Sequence, residues 1–429
     1  MTVRRLFLLV IIAIFVSLAC GNGVTREAVA QPPPEMAKFF GFGQPKVEPT
    51  TWWEAYRSGQ AAKAEKMILP LESDNSNDDL PLLLLSSGSI CLSLGDYRET
   101  ARCLQPAVGS LEGELGSLAV AEQVLSSESG RLYRGFPHER VLAHTYLGLA
   151  YMQQNKLTEA RVEFAKAAEE DKGTKPEYQD DFAPAHFLDG LRALRAKDYQ
   201  YARVSFRKVV ELQPEFALGW YSLSRASLLD GDESEAEDAW NKFESLAKPP
   251  GLFAKDGSTP CAIFMVDVGW GPERVKDEYT EEFGKWKEPD YPESKVLLTS
   301  VGGQPVEATK MADTYFQAST TGGFMEDVKK KVVSAGVKGL ISSLIPSTKK
   351  LLKSNVDTRA WSIAPGEIRF AVVPVPAQPT TVELKTYDKK GKELPRDYQM
   401  LYYIVGRPYE EAQLIYTRIL PDANNRESR

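Results

Sequence analysis

The chain has 429 residues, of which 43% are hydrophobic and 26% charged, a balance ordinary for globular proteins and unlike that of a disordered chain. That length allows two or three domains with real cores. A net charge of −7 gives the whole protein no electrostatic reason to bind nucleic acid.

Arg4 and Arg5 precede an unbroken apolar run over residues 6–16, followed by Ser17-Leu18-Ala19-Cys20. This is the layout of a secretory signal peptide, and the run is shorter than the roughly 20 residues of a membrane span. The small residues before Cys20 resemble the lipobox of bacterial lipoproteins, with Ser17 standing where Leu is usual. The resemblance implies that residues 1–20 form a lipoprotein signal region in which Cys20 becomes the lipid-bearing N-terminus after cleavage just before it. Gly21 rather than Asp follows, which in a Gram-negative host implies sorting to the periplasmic face of the outer membrane. Ala28-Val29-Ala30 is a competing cleavage site that would leave a soluble periplasmic or secreted protein, and an uncleaved anchor is a third reading. Residues 21–50, with Pro32-Pro33-Pro34 and Gly41-Phe42-Gly43, read as a flexible tether.

Residues 51–250 carry helical periodicity. A partial helix pair is expected over 53–71 and a weaker one over 82–109, through Leu94-Gly95-Asp96-Tyr97 and Ala101. Three clearer pairs run over 141–172, 183–214 and 217–248, the last ended by Pro249-Pro250-Gly251. They carry Leu147-Gly148, Tyr151, Ala160, Phe164 and Ala167, then Gly190, Ala202, Phe206 and Pro214, then Trp220, Leu223, Ala236 and Trp240. Ala202 to Ala236 spans 34 residues (236 − 202), the period of the tetratricopeptide-repeat (TPR) family, which these residues resemble. Each such pair must stack on its neighbours to bury its apolar face. Gly148 is expected to face Ala160 across its pair.

The resemblance implies a concave groove lined by the first helix of each pair. Here those positions are Leu142, Thr145, Leu149 and Met152, then Phe187, Leu191 and Leu194, then Leu218, Tyr221, Arg225 and Leu228. The groove is apolar, with Arg225 its one basic member. It suits an apolar or amphipathic partner segment, or it is filled by the tether or by the chain's own C-terminal half, because monomers rarely leave large apolar patches open. Cys91 and Cys103 fall on the two helices of one pair, as a disulfide or as packing residues.

Residues 251–429 change to short alternating segments. Strands are expected over 262–266, 295–300, 361–375, 381–387 and 400–405, with turns at Val301-Gly302-Gly303-Gln304 and Lys389-Lys390-Gly391, giving an antiparallel sheet or sandwich. A helix over 324–344 interrupts them, with Val328, Val332, Val333, Val337, Leu340, Ile341 and Leu344 on one stripe among Lys329, Lys330, Lys331 and Lys338. It either covers a sheet with its lysines in water or lies on an anionic membrane. The fold class expected is therefore α+β: an N-terminal all-α TPR superhelix, then a β-rich, sandwich-like domain with one long amphipathic helix.

Catalytic and metal chemistry have little local support. His144 and His186 occupy equivalent packing places in successive pairs, and His138 has no nearby cysteine. Asp74, Ser76 and Asp78 start like a calcium loop, but Leu85 stands at its closing position. A substrate site would need Asp267, Glu273 and Glu367 to converge near Trp270 or Trp361.

Tyr133-Arg134-Gly135, Glu139-Arg140-Val141-Leu142, Val266-Asp267-Val268-Gly269-Trp270-Gly271-Pro272 and Asp357-Thr358-Arg359-Ala360-Trp361 together resemble a family of uncharacterised bacterial TPR lipoproteins with a C-terminal β-rich domain. The resemblance implies this architecture and an envelope location, and the residues themselves show no pattern that calls for a cofactor. The expectation is a non-enzymatic, lipid-anchored adaptor that binds envelope proteins, touches the membrane through its N-terminal lipid, and self-associates in one reading. The alternative is an envelope carbohydrate- or substrate-binding protein, enzymatic in one form, with its site in the C-terminal half.

Overall fold

A computed structural model describes residues 49–111, 132–171, 178–276, 284–320, 358–394 and 400–421. Cys20, the Ala30 cleavage site, nearly all of the tether and the amphipathic stretch 324–344 lie outside the described residues.

The helical half is built from five helix pairs among the described residues. They are α1 (Trp52–Arg57) with α2 (Ala61–Ile68), α3 (Leu80–Ser93) with α4 (Tyr97–Leu111), α5 (Pro137–Gln153) with α6 (Leu157–Glu170), α7 (Ala183–Arg195) with α8 (Tyr199–Leu212), and α9 (Ala217–Asp230) with α10 (Glu233–Leu246). The turns inside the later pairs close on a residue in the left-handed region: Asn155 at φ 59°, Lys197 at φ 58° and Gly231 at φ 86°. Asn and Gly tolerate that conformation; Lys197 holds it at a cost of roughly 1 kcal/mol.

Close approach within a pair comes from glycine on the first helix meeting a large side chain on the second. A Cβ at Gly148 would lie 2.6 Å from the Phe164 ring, and one at Gly190 would lie 2.5 Å from the Phe206 ring. Gly148 thus faces Phe164 rather than Ala160, because the aromatic ring reaches back one turn along its helix to fill the gap. In the pair α9/α10 Ser224 takes the glycine's place and donates to the Ala236 carbonyl at 2.8 Å. Phe206 is fully buried and has nowhere to retreat. Gly190→Ala is therefore expected to destabilise the chain by about 1–3 kcal/mol, as overpacking does in tight cores, readable as a lower urea midpoint at unchanged slope.

After helix α10 the chain forms ten strands among the described residues: β1 (Cys261–Val268), β2 (Glu273–Lys276), β3 (Gly284–Lys287), β4 (Lys295–Ser300), β5 (Val306–Glu307), β6 (Thr309–Asp313), β7 (Glu367–Pro374), β8 (Thr380–Tyr387), β9 (Met400–Ile404) and β10 (Gln413–Ile419). A short helix, α11 (Thr314–Thr320), follows β6. One four-stranded sheet has the order β10-β1-β7-β6, the other β5-β4-β8-β9, and β2-β3 is a separate hairpin. The first sheet is mixed rather than purely antiparallel, since β10 runs parallel to β1 from Ala262 opposite Gln413 to Val268 opposite Ile419. After β9 the chain crosses between sheets through Arg407, which bridges Cys261, and so enters β10 at the end where β1 begins. Residues 361–366, expected as strand, form a turn before β7, because Trp361 is held by the helical half and Pro365-Gly366 interrupt the ladder.

Strand β1 is buried along its whole length. Cys261, Ile263 and Met265 belong to the core shared with the helices, while Ala262, Phe264, Val266 and Val268 belong to the core between the two sheets. Side chains alternate across a strand, so the first sheet is a middle layer: helices on one face, second sheet on the other. The fold is α+β, with a TPR-type helical array followed by a β-sandwich.

Candidate functional site: a groove filled by the chain's own sheet

The positions expected to line the groove are on α5, α7 and α9, and nearly all are interior. Leu149, Phe187 and Tyr221 are 0% exposed, and Leu142, Thr145, Met152, Leu191, Leu194, Leu218 and Arg225 are buried as well; Leu228 is half-buried. The occupant is the first sheet. Phe187 on α7 packs edge-on against Phe370 of β7, ring centroids 4.9 Å apart. Tyr221 on α9 meets Tyr409 at 4.8 Å, and Ser222 and Tyr409 share a hydroxyl hydrogen bond of 2.5 Å. Of the two fillings open from sequence, the structure shows the chain's own C-terminal half.

Polar groups lock the seam. The Arg225 guanidinium donates to Glu410 Oε1 at 2.7 Å and to the Lys255 carbonyl at 2.9 Å. Gly257, at φ 73°, packs so closely under that guanidinium that a Cβ there would clash. Arg225, read from sequence as the one group able to hold a charged partner, is thus spent on the chain itself. Gln153 Nε2 donates to the Leu414 carbonyl at 2.6 Å and Arg195 to the Ala412 carbonyl at 3.2 Å. Glu139, at the third position of α5, accepts from Phe136 N at 2.7 Å and Trp361 N at 2.6 Å, and from the Tyr133 hydroxyl. One carboxylate therefore caps its own helix and holds the turn that leads into β7.

The centre of the seam is Asp267. It is fully buried and accepts from the Tyr146 hydroxyl on α5 and from the Tyr416 hydroxyl on β10, the latter at 2.8 Å. Arg418 lies beside it, Nη1 4.0 Å from Oδ2, and gives Nη2 to the carbonyls of Gly269 at 2.6 Å, Ala364 at 3.1 Å and Ile363 at 3.2 Å. Burial pushes the Asp267 carboxyl up to about 6, against the pull of Arg418 and the two tyrosine hydroxyls. A folded-state value above the unfolded one means that this group stabilises most below about pH 4, and that the benefit is lost as pH rises through 6. A shift of roughly two units corresponds to about 3 kcal/mol. Asp267→Asn should therefore gain about 3 kcal/mol relative to the native chain between pH 4 and pH 7.5, measured by urea unfolding of both proteins at each pH.

The acids needed for a substrate site do not converge. Asp267 faces the helices; Glu367 pairs across the strand with Val268, on the opposite face, and is bound to Arg369 at 2.5 Å. Glu273 is exposed on the β2-β3 hairpin beside Lys287 at 3.4 Å. Trp270 stacks on Arg57, which also lies 4.3 Å over Trp53, and Trp361 packs on Tyr146. Both indoles close the seam.

The remaining candidates also have local partners. His144 Nδ1 lies 2.7 Å from Glu163, and His186 Nε2 lies 2.8 Å from Asp180. His138 is buried between Phe136 and Trp286, and desolvation, with Arg274 and Arg140 near, pushes it down to about 3. Asp74 accepts from Ser76 N and Oγ in a local turn. Among the described residues no group of three or more His, Cys, Asp or Glu side chains is placed to hold a metal ion. Cys91 and Cys103 are buried free thiols, and the neighbouring Cys103 thiol together with burial keeps Cys91 protonated.

Sequence reasoning missed Tyr146, Gln153, Arg195 and Ser222 as seam residues. One signal for the centre was present: a lone acid, Asp267, inside the apolar strand Ile263-Phe264-Met265-Val266-Asp267-Val268 requires hydrogen-bond donors from the packed layer above it.

No protein-family model and no curated protein sequence matches the chain. Among solved structures it is similar to MamA, at 16% identity over 47% of this chain and 96% of that one, with a TM-score of 0.34. A MamA fragment from Desulfovibrio magneticus RS-1 matches at 13% identity over 49% of this chain and 93% of that one, TM-score 0.34. YrrB, described as a TPR protein with an unusual peptide-binding site, matches at 14% identity over 46% of this chain and 84% of that one, TM-score 0.34.

Proposed function

We propose that the chain is an exported, lipid-anchored adaptor that binds protein partners in the bacterial cell envelope through its outer surfaces rather than its groove. One observation carries this reading: the concave face of the helical array is committed to the chain's own sheet, while the acids and histidines singled out from sequence are dispersed into structural contacts. A helical array with its groove closed still offers a convex face and an outer sheet face to other proteins. Export and anchoring are supported by Arg4, Arg5, the apolar run 6–16 and Cys20. The substrate-binding alternative loses the convergence of Asp267, Glu273 and Glu367 that it required.

Two measurements test the proposal. Mass spectrometry of the mature protein from a Gram-negative host should find an acylated Cys20, and Cys20→Ala should leave the membrane fraction; a mature start at Gln31 would remove the anchor. A pull-down of the native chain from detergent-solubilised membranes should recover specific envelope proteins, also with Arg225→Ala, whose side chain is inside the seam. Recovery of no specific partner would sink the adaptor reading.

A further inference from the structure

Among the described residues, the second sheet ends in a strand that carries none of the side-chain devices that keep sheet edges apart. β9 pairs with β8 on one side, and no described strand pairs with its other side. Val301 N donates to the Thr381 carbonyl, so the Thr381 peptide groups face β4. Tyr403 stands opposite Thr381 and therefore turns its own N–H and C=O away from β8, in phase with Leu401 and Val405. These same three residues have exposed apolar side chains: Leu401 36%, Tyr403 56% and Val405 40%. Val301, 71% exposed, lies in the same row across Thr381. Residues 400–406 contain no charged side chain and no proline, whereas natural edge strands are guarded by charge, proline or bulges.

We propose that β9 is the contact strand of a homodimer, pairing antiparallel with β9 of a second copy about a twofold axis at Tyr403. A neutral strand that complements itself favours a second copy as occupant. Residues 400–406 carry no charge, so a charged peptide would find no counter-charge on β9, whereas two copies of the strand meet without setting like charges opposite one another. On the neighbouring strand Lys385 lies 4.0 Å from Glu383 and 3.4 Å from Glu393, so its charge is already balanced within the chain. The strand is also self-complementary. A twofold at Tyr403 sets Tyr403 on its equivalent and Leu401 against the partner subunit's Val405 on the outer face. On the inner face it sets Tyr402 against the partner subunit's Ile404, and both residues belong to the inter-sheet core. The two second sheets become one continuous sheet.

The test is sedimentation velocity of the full chain in detergent, from low to high micromolar concentration. The native chain should be dimeric at the upper end, and Leu401→Lys with Tyr403→Lys should be monomeric there with an unchanged circular-dichroism spectrum. In a Cys20→Ala background, Tyr403→Cys should form a disulfide-linked dimer on mild oxidation, since paired residues there are about 5.5 Å apart at Cα. Leu401→Cys should not, because its opposite is Val405. A native chain that stays monomeric at every concentration, as it would if β9 received a different protein's strand, overturns the proposal. So does a dimer that survives both lysines, or equal cross-linking at 401 and 403; the cysteine variants decide the matter if the lysine variant fails to fold.

Discussion

Phe187→Ala is expected to lower the stability of the whole chain by about 3–5 kcal/mol, the range for removing a buried phenylalanine ring. Phe187 is 0% exposed and touches Phe206 and Phe216 within the helical half and Phe370 on the sheet. The vacated volume opens onto both layers, and neither can collapse into it without moving the other. Helices and sheet should lose stability together. Far-ultraviolet circular dichroism, weighted to the helices, and the fluorescence of the seven tryptophans, which are spread over both halves, should give one coincident urea transition at a lower midpoint. Separate transitions for the two probes would mean that the two halves fold independently.

The second large effect is expected at Arg418. Its guanidinium holds three backbone carbonyls and faces the buried Asp267 carboxylate. Arg418→Met keeps most of the side-chain volume but strands that carboxylate, and breaking a buried pair in this way costs about 3–5 kcal/mol. The loss has a pH signature. With Arg418 gone, the charge that pulls the Asp267 carboxyl down is removed, so the carboxyl titrates above its native value of about 6. The deficit against the native chain should shrink on acidification, where Asp267 is neutral in both proteins. Urea unfolding at pH 7.5 and pH 5 checks this, and an equal deficit at both would show that Asp267 and Arg418 are not coupled. Asp267→Asn in the Arg418→Met background should recover part of the loss at pH 7.5, since the stranded charge is gone.

Much of this architecture was legible in the sequence because it rests on local pattern. The pairs over 183–214 and 217–248 were readable from small and aromatic residues at fixed offsets, and their helices begin at Ala183 and Ala217. The strands over 295–300 and 381–387 were readable from alternation, since one face of each is buried and the other is not. Strands β2, β3, β5, β6 and β10 escaped, and two of them show why. β6 has the sequence Thr309-Lys310-Met311-Ala312-Asp313 with a register break between Lys310 and Ala312, which erases the period of two. β10 places Tyr416 and Arg418 on its helix-facing side, where polar ends serve Asp267, so its sequence looks half exposed while the strand is interior.

The groove shows where local reading stops. Its apolar lining was visible from Leu149, Phe187 and Tyr221, and so was the wholly apolar character of Ile263-Phe264-Met265-Val266. Each fact signals a surface that needs cover, and a strand apolar on both faces needs two covers. That the two surfaces cover one another depends on contacts between residues far apart in the chain, such as Tyr146 with Asp267 and Phe187 with Phe370. No periodicity within a segment encodes such a pairing. Arg225 shows the same limit: a basic residue in a TPR groove reads as a partner-binding group until Glu410 and the Lys255 carbonyl are seen to hold it.

The most direct test of the filled groove is a double-mutant cycle between Phe187 and Phe370. Stabilities of the native chain, Phe187→Ala, Phe370→Ala and the double variant give the coupling between the two rings, with leucine replacing alanine if the double variant is too unstable to fold. Rings packed edge-on across the seam at 4.9 Å should couple by about 0.5–1.5 kcal/mol. Additive losses, within about 0.5 kcal/mol, would mean that the rings do not touch and that the sheet does not occupy the groove.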